Sequence, residues 1–116
     1  MENKRYEYRT PIHIIVDRLQ VPETPHETER GHIFELSASG CRIETEVELE
    51  PDQLVRVSFV LPGGNVILNA AVRVVRILSR DKNRRTVAGR FENLSETDQY
   101  KIREFIVWKE AQEGRS

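Results

Sequence analysis

Apolar and polar positions alternate along most of the chain and then change to a helical spacing near the C-terminus. From Ile12 to Leu19, the apolar Ile12, Ile14 and Val16 alternate with His13 and Asp17, and only Ile15 breaks the rhythm; this predicts a half-buried strand. The segment QVPETPHETER, 20 to 30, carries Pro22, Pro25 and dense charge. It reads as a solvated loop near the upper length of ordinary connections. A second strand fits GHIFELS, 31 to 37, with Phe34 and Leu36 directed to the core. A third starts near Gly40, with Cys41, Ile43, Thr45 and Val47 on one face and Arg42, Glu44 and Glu46 on the other.

Pro51 and Asp52 mark a turn before Val55, Val57, Phe59 and Leu61, which alternate with Arg56 and Ser58; PGG at 62 to 64 supplies the next turn. The run from Val66 to Leu78 is long for one strand. Its adjacent Val74 and Val75 imply a bulge or burial on both sides. SRDKNR, 79 to 84, fits an exposed hairpin tip, and a last strand runs through Thr86, Val87, Ala88 and Phe91. Gly89 sits inside it, where a strand bends or is closely approached. Ser95 followed by Asp98 resembles a capping box, and Ile102, Phe105 and Ile106 recur at helical spacing, so 95 to 112 is read as a helix. The expected fold is mainly β: a six-stranded antiparallel barrel, closed to remove its sheet edges, with a C-terminal α-helix covering part of it.

A length of 116 residues gives material for one domain. With 38% apolar and 32% charged residues the core must be lean. The net charge of -1, from 18 Lys+Arg against 19 Asp+Glu, removes the usual electrostatic basis for a general nucleic-acid binder, so an anion site must be local. No apolar run approaches the length of a membrane span, and the polar start MENKRYEYR lacks a secretory apolar stretch, so a cytoplasmic location is expected. The single Cys41 forms no internal disulfide. His13, His26 and His32 follow no metal-ligand spacing, so neither a metal site nor a cofactor is expected. No nucleophile has an evident base partner and no glycine-rich phosphate loop opens a helix, which argues against an enzyme.

Two short motifs carry candidate chemistry. In KRYEYR, Arg5 and Arg9 stand four apart with Lys4 just before them, and guanidinium forks suit phosphates and guanine edges. In ELSASG, 35 to 40, alternation places Glu35 and Ser37 on one outer face, followed by Gly40 where the chain turns.

Their order and context resemble the PilZ domain family, whose signature is RxxxR followed some 20 to 30 residues later by [D/N]xSxxG at the end of a strand. Arg5 and Arg9 match the first motif; Ser37 and Gly40 match the second. LVRVSFVLPGG, AAVRVVR, GRF at 89 to 91 and NLSETDQYKIREFI are similar to the family's later strands and closing helix. The resemblance implies a six-stranded barrel that binds cyclic di-GMP. On that basis residues 1 to 11 form a mobile arm carrying RxxxR, 12 to 112 the barrel and closing helix, and 113 to 116 a tail. Arg5 and Arg9 would grip phosphate and guanine groups from the arm, and Ser37 and the acid at 35 would address a guanine from the barrel wall. Gly40 would keep the wall open, with Ser39 beside it in the ligand set. Lys4 occupies the position that in this family helps determine whether one ligand molecule or a stacked pair is bound.

The departure from the family pattern is Glu35, where it has Asp or Asn. The extra methylene moves the acceptor by about one carbon–carbon bond and adds a rotamer to freeze. Misplacing a pair of charge-assisted hydrogen bonds, worth about 1.5 to 3 kcal/mol each, weakens binding by about ten- to a hundredfold or more. The expected protein is a stand-alone bacterial adaptor, since RxxxR begins at residue 5 and leaves no room for an upstream domain. Its ligand would order the arm and switch a surface for an unidentified protein effector in motility, pili or exopolysaccharide and biofilm output, with the chain a monomer or dimer. The alternative is a PilZ-like adaptor that binds a protein partner without nucleotide.

Overall fold

The computed structural model describes residues 10–21, 29–81 and 83–114. Lys4, Arg5 and Arg9, most of the 20 to 30 loop and the end of the tail lie outside the described residues. Six strands appear in chain order: β1 Thr10–Gln20, β2 Glu29–Leu36, β3 Gly40–Thr45, β4 Leu54–Val60, β5 Val66–Arg80 and β6 Arg85–Glu92. The helix α1, Glu96–Gly114, follows them. All neighbours are antiparallel and the sheet closes in the order β1-β2-β3-β6-β5-β4, so the expected barrel with one C-terminal helix is what the chain forms.

Inward positions fill the barrel. Val16, Ile33, Leu36, Val57, Ile67 and Val72 are among the fully buried side chains, and Ile102, Phe105 and Ile106 of α1 complete the same core. The helix starts where Ser95 Oγ accepts the Asp98 N–H at 3.0 Å, the capping contact expected from the sequence. Cys41 is wholly buried, which pushes its thiol up to about 12 and leaves it an inert packing group.

β5 remains one strand over 15 residues because bulges bend it around the barrel. One register shift falls between Val74 and Arg76, leaving Val74 buried and Val75 exposed, so a bulge accounts for the adjacent valines. A second bulge corrects an expectation. The β2–β3 register runs Leu36↔Cys41 and Glu35↔Arg42, then skips to Ile33↔Ile43, so Phe34 is the extra residue. Ile33 and Leu36 point inward, whereas Phe34 is only half-buried and edges against the His32 ring at 6.3 Å.

Candidate functional site

The ELSASG segment covers the last two residues of β2, the turn and the first residue of β3. Ser37 N–H donates to the Gly40 carbonyl at 2.9 Å, closing the turn around Ala38 and Ser39. Alternation places Ser37 on the outer face beside Glu35, but β2 ends at Leu36 and the Ser37 side chain is buried in the turn, its oxygen accepting the N–H groups of Ser39 at 3.2 Å and Gly40 at 3.1 Å. It also lies 3.1 Å from Ser39 Oγ and 3.3 Å from the Gly40 carbonyl, either of which can take the hydroxyl proton. This serine therefore shapes the turn. Ser39 stands exposed at its tip, and its carbonyl accepts the Phe91 N–H at 2.9 Å, tying the turn to β6.

Gly40 is required by close approach. A Cβ at this position would overlap the backbone carbonyl oxygen of Gly89 across the β3–β6 pair. Gly89 is constrained in turn, since its own Cβ would overlap the Val72 side chain, as its place inside a strand suggested. The glycine at 40 thus lets the wall come close together at the end of the turn.

Glu35 faces outward between Pro11 of β1 and Arg42 of β3. Its Oε1 meets Arg42 Nε at 3.2 Å, and both side chains keep about a quarter of their surface in water, 25% and 28%. The sequence reading did not single out Arg42, which resembles solvated charge on a polar face. A signal was available: counting back through the turn from Ser37 and Gly40 sets Glu35 opposite Arg42.

Further charges surround this segment. Arg90 lies opposite Gly40, and Arg73 of β5 lies opposite Arg90. Arg73 holds Glu92 through two contacts of 2.9 and 3.0 Å, which keeps the Glu92 carboxyl below its ordinary range and raises the guanidinium's affinity for its proton. Along the wall, His32 stacks on His13 at 4.5 Å and meets Glu44 at 3.3 Å. Burial first, and the neighbouring His13 second, lower the His32 pKa despite the opposing pull of Glu44. Among the described residues no group of three or more His, Cys, Asp or Glu side chains is arranged to hold a metal ion. No described helix is long and apolar enough to cross a membrane.

The family model for the PilZ domain matches residues 2–108. The chain belongs to the PilZ domain family. Its barrel also superposes on solved PilZ structures from Escherichia coli. The crystal structure of YcgR in complex with c-di-GMP matches with a TM-score of 0.72 and 17% identity over 93% of this chain, which spans 46% of that one. The PilZ domain with c-di-GMP of YcgR matches with a TM-score of 0.69 and 18% identity, covering 93% of this chain and 92% of that one. None of the curated proteins matches the chain in sequence. At these identities the structural likeness establishes the shared PilZ barrel, and the sequence match establishes the family.

Proposed function

We propose that this PilZ chain is a cyclic di-GMP receptor, not an enzyme, in which the dinucleotide bridges Arg5 and Arg9 to the barrel wall at Glu35, Ser37, Ser39 and Gly40. The observation that carries the reading is the pairing of Thr10 with Leu36. The chain bearing both arginines joins the barrel at the very strand end that holds Glu35 and Ser37. Five extended residues span at most about 18 Å, so Arg5 is within covalent reach of the same wall. That both YcgR structures carry c-di-GMP supports the choice of ligand.

Chemically the parts are complementary. Two guanidiniums match the phosphates and guanine Hoogsteen edges of the ligand, and a carboxylate at 35 matches the N1 and N2 donors of a guanine. Ser37 contributes by fixing the turn beneath the ligand, with Lys4 flanking the arginine pair. Ordering the arm against the wall creates a surface for a protein effector in a cytoplasmic pathway governing motility, pili or exopolysaccharide. One observation favours the second reading, a nucleotide-independent adaptor: the Ser37 hydroxyl is already engaged within its turn.

Calorimetric titration with cyclic di-GMP separates the two. The receptor reading expects submillimolar or tighter binding, weakened about ten- to a hundredfold by Arg5→Ala or Arg9→Ala, as loss of a charge-assisted contact implies. Absence of both heat and any spectral change at high ligand concentration would overturn the receptor reading in favour of the adaptor.

A further inference from the structure

We infer that Arg42 is a positioning residue of this site, holding the Glu35 carboxylate where the longer acid can read a guanine edge; the inference rests on the cyclic di-GMP reading above. The geometry begins with the turn. Ala38 and Ser39 close the hairpin so that Leu36 pairs with Cys41, both inward, and Glu35 pairs with Arg42, both on the outer wall. The bulge at Phe34 then returns Ile33 to Ile43 inside the barrel without disturbing that outer pair.

An aspartate or asparagine at 35 would present its acceptor close to the strand with few rotamers available. Glutamate adds a torsion, so an unheld carboxylate samples several positions and must be ordered when a guanine docks. The contact from Arg42 Nε to Glu35 Oε1 at 3.2 Å selects among those positions before any ligand arrives. A carboxylate offers about four lone-pair sites, so the ion pair is compatible with accepting the coplanar N1–H and N2–H donors of guanine.

Charge acts in the same direction. The ligand carries two phosphate charges, and a lone carboxylate on the wall would repel them. Pairing with the Arg42 guanidinium makes this part of the wall locally neutral. Because both groups remain partly in water, the pair contributes little to folding, which lets its effect on binding be isolated from any effect on the fold.

The test is a double-mutant cycle on the full chain, titrated with cyclic di-GMP and with cyclic di-IMP, whose bases lack the 2-amino group. Arg42→Ala is expected to weaken cyclic di-GMP binding by about tenfold, equivalent to about 1.4 kcal/mol. The loss should shrink to about twofold in a chain already carrying Glu35→Asp, whose carboxylate is drawn back from Arg42. The preference for cyclic di-GMP over cyclic di-IMP should also fall with Arg42→Ala, a change that a general loosening of the wall would not cause. Arg42→Gln, which keeps most of the side chain's bulk, should reproduce these losses. Wild-type binding that Arg42→Ala and Arg42→Gln leave unchanged, or equal losses in both Glu35 and Asp backgrounds, would overturn the inference alone. No binding by the wild-type chain would overturn the receptor reading beneath it as well.

Discussion

Two glycine-bearing turns of this barrel look alike in sequence and are built on different physics. The turn from Ser37 to Gly40 has its own hydrogen bonds and is also tied from outside: Phe91 of β6 bonds its Ser39 carbonyl, and the Gly89 carbonyl excludes any side chain at Gly40. The turn from Leu61 to Asn65 is held by its own backbone, through Leu61 N–H to Asn65 at 2.8 Å and Gly64 N–H to Leu61 at 2.9 Å. Gly63 and Gly64 adopt φ of 105° and 103°, and a Cβ on either would meet nothing. One glycine is needed for space and the others for conformation. The first turn is consequently a fixed part of the wall, suited to presenting Glu35 and Ser39 in one arrangement. The second is a connection whose glycines leave open space around them.

Substitutions at the two turns sharpen that contrast. Gly40→Ala should cost the most, about 3 kcal/mol, because relief requires parting β3 from β6; a shift in the urea midpoint measures it. Ser37→Ala comes next at about 2 kcal/mol, since it leaves the Ser39 and Gly40 N–H groups without their shared acceptor. Gly63→Ala should cost least, about 1 kcal/mol of local backbone strain, with ligand affinity unchanged. A larger loss at Gly63 than at Gly40 would break the comparison, and so would wild-type stability in Ser37→Ala.

The sequence made the barrel readable because each strand carries a period-2 pattern bounded by Pro, Gly or Asp, and the helix announces itself with Ser95 and the Ile102, Phe105, Ile106 spacing. The adjacent valines at 74 and 75 pointed to a bulge. The equally informative pair Ile33 and Phe34 did not, because Phe34, Glu35, Leu36 and Ser37 alternate without fault when taken alone. Only the barrel register shows that Ile33 and Leu36 take the inward positions and displace Phe34 to the outside.

The candidate site was legible in part for a similar reason. Motif spacing singled out Glu35, Ser37, Ser39 and Gly40 as candidates; the last three share hydrogen bonds in one turn, and Glu35 precedes it on β2. Their separate tasks are tertiary facts: Ser37 became a buried anchor, and Gly40 a point of contact with Gly89. Arg42 could be placed opposite Glu35 by counting back through the turn, whereas Arg90 adjoins the motif only through the β3–β6 pair, which linear spacing does not reveal. The motif residues Lys4, Arg5 and Arg9 lie outside the described residues, and their part in the account comes from sequence and covalent reach.

The central claim is that one ligand is shared between the arginine-bearing segment and the wall around Glu35. Backbone amide chemical-shift mapping during titration with cyclic di-GMP tests it most directly. The account predicts concerted changes at Arg5, Arg9 and residues 35 to 42, with the Leu61 to Asn65 turn silent. Saturable changes centred on that turn or on α1, with residues 35 to 42 unmoved, would contradict it.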